Sequence, residues 1–68
     1  MISNDHELRV TLDRLARLQS QVAHLRTIET SPSNYRASAS GFLAEIDRMQ
    51  LEVREYLCVH PAEMAAAP

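Results

Sequence analysis

Residues that break helices are scarce in this sequence, which has one glycine and three prolines among its 68 residues. That scarcity favours helices over a turn-rich β fold. Cysteine is also nearly absent: the single thiol excludes an intramolecular disulfide, so no covalent bridge staples this small chain. A lone cysteine is typical of a reducing compartment, and we therefore expect a cytoplasmic protein.

A basic excess is lacking as well, with seven Lys and Arg residues against nine Asp and Glu and a net charge of -2. A dedicated nucleic-acid-binding protein usually carries a basic excess. The arginines of the first half, Arg9, Arg14, Arg17 and Arg26, are spread around the predicted helix, and no aromatic residue accompanies them to stack on a base. These features argue against direct nucleic-acid binding by this chain.

Long apolar runs are missing too, since no stretch approaches the roughly 20 residues that cross a membrane. The opening MISNDHE lacks the basic and apolar regions of a signal peptide. We therefore expect neither a membrane span nor a leader. A chain of 68 residues with ordinary apolar and charged content forms at most one small domain.

The most regular pattern lies in the second half, where apolar residues recur at intervals of four and three positions. This spacing places them on one stripe of an α-helix, with mostly polar residues between them. The stripe consists of Phe42, Ile46, Met49, Val53 and Tyr56, and extends back through Ala39 to Tyr35. The pattern predicts an amphipathic helix that needs an apolar cover.

The first half carries a heptad seam of its own. Leu8, Leu15 and Val22 repeat every seven residues, Leu18 and Leu25 repeat beside them, and Leu12 widens the stripe. Asn4 and Glu7 have the spacing of a capping box, in which Asn4 accepts from an orphan amide and Glu7 reaches back. We predict a helix from about Asp5 to Ile28, preceded by frayed residues 1–3.

A break from Thr30 to Asn34 separates the two patterns. Pro32 suits the first position of a new helix, with Ser31 as its N-cap and Ser33 as the alternative. We predict a second helix from about Pro32 to Val59, ended by the His60-Pro61 pair, and a disordered tail over 62–68. Residues 1–61 are therefore predicted to form an all-α antiparallel helical hairpin.

The run of small residues from Ala37 to Gly41 allows two interpretations. Ala37 and Gly41 lie one turn apart and could mark a close approach of two helices. Alternatively, the run is a weak first turn, and the firm helix begins nearer Ser40, because glycine costs a helix about 1 kcal/mol relative to alanine.

Two helices cannot enclose a core around themselves, and each seam has apolar neighbours beyond what one opposing helix covers. We therefore predict self-association, most simply a homodimer that forms an antiparallel four-helix bundle. The rival is a hairpin that stays open until a different protein covers it, with Leu51 as a candidate second contact. The predicted interaction seam comprises Leu8, Leu12, Leu15, Leu18, Val22, Leu25, Phe42, Ile46, Met49, Val53 and Tyr56.

Residues that could act in catalysis or bind a metal are few, and we predict no catalytic, cofactor or metal site. Cys58 and His60 are neighbours, and His6 could approach them in a hairpin, but a metal site needs three or four convergent ligands. Cys58 as a nucleophile would need a base and an activating environment. The carboxylates of the second helix alternate with Arg48 and Arg54, which indicates an ion-paired, solvated face. In the first helix Asp13 and Arg17 have the spacing of a similar pair.

Two stretches, ISNDHELRVT at residues 2–11 and YRASASGFLAEIDRMQLEVREYL at residues 35–57, resemble small bacterial helical proteins described as antitoxin-like components of toxin–antitoxin loci. The resemblance implies a cytoplasmic protein that binds a toxin or regulates its operon. Members of such systems often carry a DNA-binding domain, whereas this chain has no recognisable helix-turn-helix and no basic arm. The resemblance assigns no functional residue to a numbered position of this sequence.

Two functional hypotheses follow. The first is a non-enzymatic interaction module, such as an antitoxin-like regulator, that covers a partner protein with an exposed seam. The second is a structural homo-oligomeric bundle that serves as a scaffold or assembly element without a dedicated ligand.

Overall fold

The chain forms a helical hairpin in the computed structural model, which describes the backbone of residues 1–66 and the side chains of residues 1–63. Helix α1 spans Asp5–Ile28, α2 spans Pro32–Leu57 and α3 spans Pro61–Ala66. The two long helices pack against each other in an elongated shape of 55 × 16 × 12 Å. They are the two long helices that the heptad patterns predict, and the all-α hairpin is confirmed.

The start of α1 is fixed by its cap. The Asn4 Oδ1 atom accepts a hydrogen bond of 2.8 Å from the Glu7 amide. The Glu7 carboxylate reaches back to Ser3, whose amide and hydroxyl donate to the same Oε1 atom at 2.8 and 2.6 Å. These bonds anchor the residues before the helix, and Ile2 is buried. Of the three residues predicted to be frayed, Ile2 and Ser3 are thus held by contacts, whereas Met1 is exposed.

Helix α2 begins where proline and serine place it. Pro32 is its first residue, and the Ser31 Oγ atom accepts from the Asn34 amide. The helix is continuous from there, so the interpretation of 37–41 as a weak first turn is wrong. A close approach at Gly41 is not found within the hairpin either, since a Cβ placed there would meet no described atom within 4 Å. The small residue at the interface is Ala39, which is 1% exposed.

The end of α2 lies at Leu57, two residues before the predicted Val59. The Val59 amide donates to the Tyr56 carbonyl over three residues, which tightens the last turn before Pro61. Residues 62–66 of the predicted tail belong to α3. His60 caps that helix, because its Nδ1 and carbonyl oxygen accept from the amides of Ala62 and Glu63, and alanine favours helix. Residues 67–68 of the predicted tail lie outside the described residues.

The core runs along the contact between the helices, and its buried members are Ile2, Val22, Ala39, Ile46 and Met49. Val22, Ala39 and Ile46 are buried in one cluster, and partly buried side chains pack against it: Leu15, Leu18, Leu25 and Tyr35. At the open end the Tyr56 hydroxyl donates to Asp5 Oδ1 at 2.7 Å.

Candidate protein-binding surfaces

The predicted interaction seam is only partly covered within one hairpin. Val22, Ile46 and Met49 are buried, whereas Leu12 and Phe42 are exposed. The remaining seam residues are half-buried: Leu8, Leu15, Leu18, Leu25, Val53 and Tyr56. Pairing two helices thus leaves part of each seam open to solvent, while its use in binding stays a prediction.

Large apolar side chains are exposed on several sides of the hairpin. Within residues 1–63 these are Met1, Val10, Leu12, Ile28, Phe42, Leu43, Leu51, Leu57 and Val59. Isolated exposed leucines are ordinary on a protein surface, so their arrangement decides whether they form a binding surface.

Three of these residues form a surface that we call the leucine face: Leu12, Leu43 and Leu57, which are 43%, 45% and 63% exposed. Leu43 and Leu57 follow the seam residues Phe42 and Tyr56 by one position, and Leu12 follows Thr11, which stands seven residues before Leu18. One position corresponds to a rotation of about 100° around a helix. Because the two helices run in opposite directions and face each other, this rotation brings all three to the same side of the hairpin.

The side of the hairpin that carries the leucine face holds both amides and charges. Gln19 and Gln50 follow Leu12 and Leu43 by seven residues, and Asp47 and Arg54 follow Ile46 and Val53 by one residue. Beside Leu57 an open groove of about 370 Å³ is lined by residues of both helices: Leu15, Gln50, Val53, Arg54, Leu57 and Cys58. The groove exposes the edge of the seam on this side.

The opposite side of the hairpin is charged. Arg14, Glu45, Arg48 and Glu52 each precede a seam residue by one position. Arg48 forms ion pairs with Glu45 and Glu52, as predicted for this face. The hydrogen bond from Arg48 holds the pKa of the Glu45 carboxyl below its ordinary value, and the charge of Arg14 acts in the same direction. This arrangement describes a solvated ion-paired surface rather than a proton-transfer pair.

In α1 the ion pair predicted between Asp13 and Arg17 does not form among the described side chains. The two residues are both exposed, and an i, i+4 pair at such a position contributes only a few tenths of a kcal/mol.

A second apolar surface lies near the α1–α2 connection, and we call it the loop-end groove. It has a volume of about 460 Å³ and is lined by Ser20, Gln21, His24, Leu25, Ile28 and Phe42. Ile28 is 60% exposed. The lining of the groove is mainly apolar, with a few polar groups at the rim. On the outer side of α2, Leu51 is also exposed, in keeping with its position off the main stripe.

The cysteine and histidine residues considered above do not form one site. His60 and Cys58 line a groove at the open end, together with Asp5 and Glu63, whereas His6 lines a separate groove beside Ile2 and Val10. Cys58 is an exposed free thiol. In the part of the chain that the structure describes, no group of three or more His, Cys, Asp or Glu residues is arranged to hold a metal ion.

Two features of the open end were not predicted from the sequence. Ile2 is buried, and the signal for it is a lone apolar residue just before the N-cap, close to the position of a hydrophobic staple. The Tyr56–Asp5 hydrogen bond raises the pKa of the Tyr56 hydroxyl above its ordinary value. The sequence predicts only that the Tyr56 ring is buried while its hydroxyl stays in contact with water.

None of the described helices combines the length and apolarity needed to cross a membrane. Comparison of the chain with protein-family models, curated proteins and solved structures finds no match.

Proposed function

We propose that this chain is a non-enzymatic protein–protein interaction module, an antitoxin-like regulator that binds a partner protein in the cytoplasm. The observation that carries the proposal is the distribution of exposed apolar residues. The leucine face lies on one side of the hairpin, Ile28 and Phe42 lie at the loop-end groove, and Leu51 lies on the outer side of α2. Covering any one of these surfaces leaves another available for a second protein.

Contiguous exposed apolar surface rimmed by polar residues marks protein–protein contact sites. The loop-end groove has this composition, since Leu25, Ile28 and Phe42 are bordered by Gln21 and His24. It is also separated along the hairpin from the ion-paired residues Arg48 and Glu52. An apolar anchor of the partner would bury Ile28 there, and such central apolar anchors dominate binding free energies.

The test is an affinity pull-down of the tagged protein from its own host, with co-purifying proteins identified by mass. We expect one stoichiometric partner, lost with Ile28→Glu and retained with Ala44→Glu. Ala44 is an exposed residue of α2, so its variant adds the same charge without altering a large apolar residue. Loss of the partner with both variants would show that added charge, rather than the groove, decides the outcome.

The antitoxin-like role has a separate test, in which the captured protein is expressed alone and together with this chain. We expect the partner to inhibit growth alone and this chain to relieve the inhibition. A partner that is harmless alone, or toxicity that persists in the presence of this chain, would refute the antitoxin-like role.

The second candidate function is a structural homo-oligomeric bundle, and the elongated shape favours it. The radius of gyration is 15.9 Å, whereas a compact domain of this length has about 11 Å. A scaffold role predicts a stable helical oligomer at micromolar concentration without any other protein. A random-coil circular dichroism spectrum at that concentration would refute it.

A further inference from the structure

We propose that His60 makes the helical state of α3 sensitive to pH: the neutral imidazole caps the helix, and protonation of the imidazole releases it. The proposal concerns the region that follows the hairpin and goes beyond the proposed interaction function. It gives a regulatory role to a residue outside the leucine face and the loop-end groove.

The cap of α3 depends on one nitrogen atom of His60. The Nδ1 atom accepts a hydrogen bond of 3.0 Å from the Ala62 amide, and the His60 carbonyl oxygen accepts one of 2.9 Å from the Glu63 amide. An imidazole nitrogen accepts only through its lone pair, so this geometry requires the neutral tautomer that carries its proton on Nε2. A proton from solvent binds the same lone pair. Protonation of Nδ1 and capping of α3 therefore exclude each other.

The imidazole of His60 is open to solvent, since the residue is exposed. Water can thus deliver a proton to Nδ1 without any opening of the hairpin. Histidine is the side chain that ordinarily changes its charge between about pH 5 and 8. The state of the cap is therefore set by pH within that range.

Local hydrogen bonds hold α3 together. The helix has six residues, and helices shorter than about 12 residues are marginal in water without tertiary packing. Among the described residues, no Cα atom of α3 lies within 8 Å of a Cα atom of α1 or α2. Pro61, the first residue of α3, has no amide hydrogen, so the Ala62 amide is the first that needs an acceptor. Loss of the cap thus acts directly on the fraction of molecules in which α3 is helical.

The groups around His60 come from both sides of the open end. Asp5 of α1, Tyr56 of α2, Cys58 and Glu63 of α3 line the same groove as His60. The two carboxylates attract the imidazolium, whereas the positive end of the α3 dipole repels it. Because Asp5 and Glu63 are exposed, water and salt screen their attraction. Protonation, in contrast, removes the capping hydrogen bond outright, and this loss decides the direction of the effect.

The experiment follows the Cα chemical shifts of residues 62–66 in the full chain by NMR, at about pH 8 and about pH 5. We expect the ratio of helical to non-helical α3 to fall by about fivefold at the lower pH, the usual effect of losing an N-cap. The fall should coincide with the protonation of His60, which is read from its ring resonances in the same samples.

Two substitutions separate capping from other effects of pH. His60→Asn keeps a side chain that caps helices well and does not titrate, so α3 should be equally helical at both pH values. His60→Ala removes the acceptor, so α3 should be weakly helical at both. His6 and His24 are the other two histidines of the chain. They remain in both variants and report any pH effect that arises elsewhere.

Three results would overturn the proposal. The first is a wild-type protein whose α3 has the same helical shifts at both pH values. The second is a His60→Asn variant that loses helix at low pH to the same extent as the wild type. The third is a wild-type protein in which residues 62–66 show no helical shifts even when His60 is neutral.

Discussion

Replacing Gly41 by alanine should stabilise the protein. Gly41 is the tenth residue of the 26-residue helix α2 and is exposed, with no positive φ angle. A Cβ at this position would meet no described atom within 4 Å. Alanine therefore adopts the same conformation without strain and loses less backbone entropy on folding than glycine does.

The expected gain in the free energy of unfolding is about 0.5–1 kcal/mol, the usual difference between glycine and alanine within a helix. For a domain of this size that corresponds to an increase in Tm of roughly 2–8 °C. Thermal unfolding followed by the helical circular dichroism signal measures the shift. Ala44→Gly is the matched control, because Ala44 is exposed in the same helix and should lower Tm by a similar amount.

A lower Tm for Gly41→Ala would refute this reasoning. It would show that another surface approaches the backbone at Gly41 closely enough to exclude a methyl group. Unchanged stability would show that α2 is not continuously helical around Gly41 in solution.

Three further predictions concern the core and two hydrogen bonds. Ile46→Asp should lower the free energy of unfolding by at least about 3 kcal/mol, because it removes a buried side chain and buries a charge. Thermal unfolding of this variant is compared with that of Leu51→Asp, in which the substituted residue is exposed. Equal losses of stability in the two variants would contradict the prediction. Tyr56→Phe should destabilise the protein below pH 10.0, and the difference from wild type should narrow as pH rises through the Tyr56 pKa, which Asp5 raises above that value. Glu7→Gln should reduce the acid dependence of stability, because the Ser3 hydroxyl and amide hold the Glu7 pKa below 4.5, so this stabilisation is present above that pH and is lost as pH falls through the lower folded pKa. Identical acid titrations of Glu7→Gln and wild type, followed by circular dichroism, would contradict the last prediction.

The ends of the long helices could be predicted from the sequence because local hydrogen bonds and proline geometry determine them. Asn4 and Ser31 each accept a hydrogen bond from an amide three residues later, and Pro32 stands at the position that its ring favours. The seam could be predicted for a similar reason, since a heptad period determines which residues share one stripe of a helix. Val22 and Ile46 accordingly lie in the buried cluster.

The remaining features depend on contacts between residues distant in sequence, and local patterns do not determine those contacts. Gly41 shares a helix with Ala39, yet only Ala39 faces α1. Ile2 is buried because α1 and α2 meet beside it. Residues 62–66 form a helix because His60 supplies a cap for it, a role that few would assign to histidine from sequence.

The candidate binding surfaces were only partly predictable. The sequence indicates more apolar residues than one opposing helix covers, and Leu51 stands out as separate from the seam. The leucine face, however, exists only once the direction and register of the two helices are known, because Leu12 comes from α1 and Leu43 from α2. The protein that covers this face could not be predicted, because an apolar pattern in a sequence does not specify the shape of a binding partner.

The tertiary contacts of the hairpin close loops of different length, and this difference has a kinetic consequence. Val22 and Ala39 are separated by 17 residues, while the Tyr56–Asp5 bond joins residues 51 apart. Closing the longer loop first would cost about 1 kcal/mol more in chain entropy, so the hairpin should close like a zipper from its turn toward its termini. Opening proceeds in reverse, and backbone amides near Asp5 and Tyr56 should exchange with solvent before those around Val22 and Ile46. The end that carries Cys58 is thus the first part of the long helices offered to a protease or a chaperone.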